Sequence, residues 1–137
     1  MSPEVQAFAT GFPATLAHAL VSLLLLALGA AAYAFLTPHK EVELIREGNS
    51  AAAISLGGVL LGLAIPLAVS LAASPSILEI VVWGVATVAV QLLAFRITDF
   101  ALTGLPSRIQ DGDVAAAALL TAARLATALI LAAAVTG

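Results

Sequence analysis

The chain has 137 residues, 62% of them hydrophobic and 9% charged, with a formal net charge of −3. A soluble domain needs about 25% charged residues to solvate its outside, so a mean hydropathy of +1.14 predicts an exterior written for lipid. With no block of Lys or Arg, nucleic acid is excluded as a partner. The absence of cysteine excludes disulfides, thiolate metal sites and cysteine nucleophiles. His18 and His39 are too few for a histidine-based metal centre, and no cofactor is expected.

The first apolar span is predicted over about Phe12–Phe35. The residues before it lack Lys and Arg, so it reads as a retained span and not a secretory signal. Gly11, His18, Ser22, Gly29 and Tyr33 form a weak polar and small-residue stripe along it. His18 is a candidate proton relay, since an imidazole is the side chain that ordinarily changes charge near neutral pH, or else a hydrogen-bonded packing residue. Tyr33 suits an interfacial anchor. Thr37-Pro38 ends the span. The following segment, His39–Glu47, mixes apolar and charged residues and is expected to lie along the cytoplasmic interface.

Asn49 caps the start of the second span, Ala51–Ala73, because its side chain can accept from the free amides of the first turn. Gly58 and Gly62 stand four apart, extended along one face by Ala51, Ser55 and Val69. Small residues at this spacing let helix backbones approach closely in lipid. Pro66 removes a helix hydrogen bond and predicts a kink.

Ser74-Pro75-Ser76 is a turn, and the third span runs from Ile77 to about Leu102. Glu79 begins it near the outer surface, and Trp83 suits an interfacial anchor. Gly84, Thr87, Gln91 and Thr98 share one face, with Asp99 at its edge. Arg96 and Asp99, three apart, are expected to pair locally. After Gly104-Leu105-Pro106-Ser107, Asp113 caps the fourth span, Val114–Val135.

Ala122 and Ala126 in that span match Gly58 and Gly62. The two small-residue stripes are expected to form a contact within the chain or between copies. Arg124 lies roughly 16 Å from the start of the span, where a charge costs at least about 2.5 kcal/mol. It points about 200° away from Ala122 and Ala126. Gln91, at a similar depth, Asp99 and backbone carbonyls are its candidate partners. A wet, anion-attracting path is the alternative.

The segments Ile45–Ala53 and Ile109–Ala117 align without a gap. An acidic residue and a glycine precede the cap in both, and an alanine run follows. The fold expected is therefore all-α: one membrane domain, 1–137, with four transmembrane helices as two tandem hairpins. The repeats cover about 12–73 and 77–135 and point the same way. Lys40, Arg46, Arg96 and Arg108 lie in or near the two polar connections, so the positive-inside rule puts both termini outside.

The run Glu43-Leu-Ile-Arg-Glu-Gly-Asn-Ser-Ala-Ala-Ala-Ile, followed by Gly57, Gly58 and Gly62, resembles the YjfL-like bacterial inner-membrane proteins. These are catalogued as a domain of unknown function, number 350 in that series. The resemblance covers nearly the whole chain and implies an inner-membrane location and two tandem two-helix units. Asp113 stands where the family pattern usually has Asn. The resemblance supplies no established chemistry.

Two functions follow from the residues. One is a small homo-oligomeric channel or transporter subunit for a small ion, with Arg124, Gln91, Asp99, Thr87, Thr98 and His18 as pathway residues. The other is a structural or regulatory membrane protein that recruits a cytoplasmic partner through the connection between spans one and two. The lack of a mid-span carboxylate in spans one and two favours the second. No metalloprotease or rhomboid-like motif is present, and an enzyme is not expected.

Overall fold

The computed structural model describes residues 1–37 and 40–136. The expected turn residue Pro38, the candidate interfacial residue His39 and Gly137 lie outside the described residues. All regular structure among the described residues is helical: α1 Pro3–Leu36, α2 Glu41–Arg46, α3 Ser50–Ala73, α4 Ile77–Ala101, α5 Leu105–Gln110 and α6 Val114–Thr136. Four of these, α1, α3, α4 and α6, are long and apolar enough to cross a membrane. Two short helices, α2 and α5, occupy what the sequence reads as an interfacial segment and a turn.

The first helix starts nine residues earlier than its apolar stretch, at Pro3 rather than Phe12. Ser2 accepts from the Val5 amide and Pro3 stands at the first helical position, where its missing N–H costs nothing. At 34 residues, α1 is about 51 Å long, well beyond a hydrocarbon core of about 30 Å. Its first four turns are exposed. α3 continues unbroken past Pro66.

Each polar connection ends in the same local geometry. In the first, Gly48 N–H donates to Ile45 O and Asn49 N–H to Leu44 O; in the second, Gly112 donates to Ile109 O and Asp113 to Arg108 O. Gly48 and Gly112 take φ of 89° and 86°, which glycine adopts without strain. The caps then form as expected: Asn49 Oδ1 accepts from Ala52 N–H at 3.0 Å and Asp113 Oδ1 from Ala116 N–H at 3.2 Å. The Ala116 amide, and then Arg108, hold the Asp113 carboxyl below its ordinary range.

The two caps diverge beyond that point. The Asn49 amide also donates to the carbonyls of Ile109 and Gln110, at 3.0 and 3.1 Å, and so bolts the two connections together. Asp113 has no donor to offer and instead accepts from Arg108 Nε at 2.7 Å. Both connections therefore sit at one end of the bundle.

α3 is the central helix. It packs along α6 and also meets α1 and α4, while α1 lies against α4. Near the connections, Ala51 and Ala52 meet Ala116, Ala117, Leu120 and Ile109. Farther in, Tyr33, Val59, Leu63 and Phe95 form a second apolar cluster. Gly58 and Gly62 are buried, but they do not face Ala122 and Ala126. A Cβ on Gly58 would meet Thr121 Cγ2 and Oγ1 at 2.8 Å, and one on Gly62 would meet the Phe95 ring at 2.8 Å. Ala122 and Ala126 are exposed. Within the chain, the glycine face receives larger side chains from α4 and α6, because α3 is enclosed on several sides and α6 turns Thr121 and not Ala122 toward it.

Candidate functional site

Arg124 is the centre of the polar interior. Its α6 position turns it toward α3, and it is 1% exposed. Nη1 donates to the carbonyl oxygen of Ser55 at 3.0 Å and to the Ser55 hydroxyl at 2.9 Å. Nη2 donates to the Tyr33 hydroxyl at 2.7 Å and to Asp99 Oδ1 at 3.1 Å. The guanidinium carbon also lies 5.3 Å from the Tyr33 ring centroid and 5.6 Å from that of Phe95. These rings meet edge to face and present their faces to the cation. One side chain of α6 thus touches α1, α3 and α4.

This enclosure explains how the charge is tolerated. Taking an ion out of water costs several kcal/mol, and only close opposite charge with further hydrogen bonds offsets it. Asp99 supplies the charge, while Ser55 and Tyr33 supply the other acceptors.

The hydrogen bonding continues outward from Tyr33. Its hydroxyl, which accepts from Arg124, donates in turn to Glu41 Oε1 at 3.2 Å. Tyr33 is in the last turn of α1 and Glu41 is the first residue of α2. The Thr37 hydroxyl and amide both donate to the Tyr33 carbonyl, which closes the end of α1. Glu41 is 7% exposed. Burial pushes its carboxyl above the ordinary range, against the opposing pull of Arg124 and the Tyr33 hydrogen bond. A cavity of about 480 Å³ opens at this corner, lined by Tyr33, Glu41, Leu56 and the exposed Lys40, Glu43 and Arg46 among others.

The sequence-derived candidates divide clearly. Arg124 and Asp99 come together, and a backbone carbonyl joins them, as expected. Arg96 is not the partner of Asp99: it is exposed, and Asp99 reaches across to Arg124. Gln91 is 0% exposed, yet neither of its amide atoms has a partner and it makes no bond to Arg124. Pairing of Asp99 with Arg124 sets the register, and Gln91 lies two turns away, about 12 Å along α4. Thr87 is buried on the same face as Gln91, while the Thr98 hydroxyl donates to the Ala94 carbonyl of its own helix. His18 is half-buried and about 22 Å along α1 from Tyr33, apart from the Arg124 cluster.

Tyr33, Glu41, Ser55 and Phe95 are the site residues that sequence reasoning did not place there. Tyr33 is 2% exposed, packed in the core at the last turn of α1. The one available signal was Arg124 itself, since a buried guanidinium demands several acceptors and only a few polar side chains lie at a similar depth.

The profile of the Domain of Unknown Function (DUF350) matches residues 7–135. The chain belongs to this family. It is 34% identical over 104 residues to the UPF0719 inner membrane protein YjfL of Escherichia coli (strain K12), covering 76% of this chain and 79% of that protein. The protein of the same name from Escherichia coli O157:H7 matches at the same identity and coverage. No solved structure matches. Family and fold agree that this DUF350 chain is an integral, multi-pass inner-membrane protein.

Proposed function

We propose that this chain is a structural or regulatory inner-membrane protein, not an enzyme, that offers the α1–α2 corner to a cytoplasmic partner. The observation that carries this reading is the enclosure of Arg124. Its two terminal nitrogens make four hydrogen bonds to groups of its own chain, while Nε is left without a partner; the four bonds support a role in holding helices together over lining an open path. The exposed corner is where chemistry remains available: Val42 is 50% exposed beside Lys40, Glu43 and Arg46. Two tandem hairpins with both termini outside belong to the same proposal. Supporting them are the matching cap geometry of the two connections and the basic residues gathered there. Homo-oligomerisation would use the exposed Ala122 and Ala126 face.

Ion passage between copies is a second reading, favoured by Gln91. Its unpartnered amide borders a groove of about 530 Å³ between α4 and α6 that also includes Ala126 and Thr127.

Photocrosslinkers placed at Val42 and Glu43 in cells at native expression test the first reading, alongside ion flux in reconstituted liposomes. The expected result is one reproducible cytoplasmic crosslink and silent liposomes. No crosslink, together with an ion flux that Gln91→Leu abolishes, would establish the second reading instead.

A further inference from the structure

One buried carboxylate, Glu41, and one part-buried carboxylate, Asp99, lie near one buried cation. Arg124 is already matched by Asp99 at 3.1 Å, and Glu41 reaches it only through the Tyr33 hydroxyl. Among the described residues no ion pair reaches Glu41. Lys40, next to it in the chain, lies 4.0 Å from Glu43, and both are exposed. Glu41 Oε2 is buried without any partner, in a side chain that lines the cavity at the α1–α2 corner. A carboxylate taken out of water without a cation of its own is neutralised in preference to being left charged.

We propose that Glu41 is a proton-binding site, and that the proton it takes up from the corner cavity holds α2 against the helix bundle. The step is a simple protonation: a solvent proton adds to the carboxylate and no other bond changes. The Tyr33 hydroxyl still donates to Oε1, so the Arg124–Tyr33–Glu41 chain survives. The groups that face Glu41 are Tyr33 from α1, Arg124 from α6 and Asp99 from α4. α3 brings only Leu56 to the cavity, and Lys40, Glu43 and Arg46 rim it.

The sign follows from linkage. The docked Glu41 carboxyl binds its proton more tightly than a free one, so docking is favoured at low pH and weakens as pH rises through the raised value. This holds whether or not a partner docks at the corner.

The chain lacks cysteine, so a spin label at Val42→Cys reports α2 alone. The full chain is placed in neutral phosphatidylcholine vesicles, which leave the surface pH unbiased, in a His39→Gln background that removes the neighbouring imidazole. The label should become mobile as pH rises, with a midpoint above the ordinary Glu value of about 4.3. Glu41→Gln, which mimics the neutral acid, should hold the label immobile throughout. Infrared spectroscopy of the unlabelled chain gives a second readout that needs no folded variant: a protonated-carboxyl band should persist above the ordinary Glu range and vanish with the same midpoint. A transition that survives Glu41→Gln, or the absence of that band, would overturn the proposal. So would a midpoint that shifts when sodium replaces choline, which would assign the site to a metal cation.

Discussion

At the scale of single residues, Tyr33 joins the membrane interior to its edge. Its ring packs on Phe95 and under the guanidinium, while its hydroxyl accepts from Arg124 and donates to Glu41. Tyr33→Phe separates these roles, keeping the ring and removing the hydroxyl. It leaves one guanidinium donor and one carboxylate acceptor unmet, and such losses cost about 1–3 kcal/mol each. Denaturant titration in mixed micelles should show a fall in unfolding free energy of that size; an unchanged midpoint would mean that the hydroxyl is idle. Arg124 was legible as a residue needing partners, and Asp99 as one of them. Tyr33 and Glu41 were not, because both sit where a span meets its connection. There an aromatic ring and a carboxylate have a solvated reading as well as a buried one. Only the packing of α2 against the bundle, which brings Glu41 to Tyr33, decides between them.

At the scale of helices, the two small-residue pairs have different surroundings despite their matching positions in the chain. Gly58 lies against the β-branched Thr121, whose hydroxyl also donates to the Ile54 carbonyl at 3.2 Å. That side chain has little freedom to move aside. Gly58→Leu should therefore drive α3 and α6 apart and destabilise the fold by about 1–3 kcal/mol or more. Ala122→Leu, on an exposed face, should leave the stability of the single chain within about 0.5 kcal/mol. Thermal unfolding of both variants in detergent separates the cases, and equal losses would mean that Ala122 is also packed within the chain. The small-residue pattern was readable as a place where helices come close. Which helix arrives there was not, since a stripe of glycine specifies an approach distance and not a partner.

At the scale of the molecule, hydropathy and turn chemistry were enough to locate four spans, because length and apolar content are local properties. The short helices α2 and α5 escaped notice: six residues apiece are too few to display a period. The bundle they close is tied together at two levels, by Asn49 bridging the connections and by Arg124 drawing α1, α3 and α4 to α6. The central claim is that Arg124 acts as an internal tie through Asp99. A double-mutant cycle on unfolding free energy, with Arg124→Met, Asp99→Asn and the double variant, tests it most directly. Arg124→Met should cost about 3–5 kcal/mol, because it strands a largely buried carboxylate partner. The two changes should couple by more than about 0.5 kcal/mol, the double variant losing less than the sum of the singles. A small, strictly additive loss would contradict it, and would return Arg124 to a water-facing role.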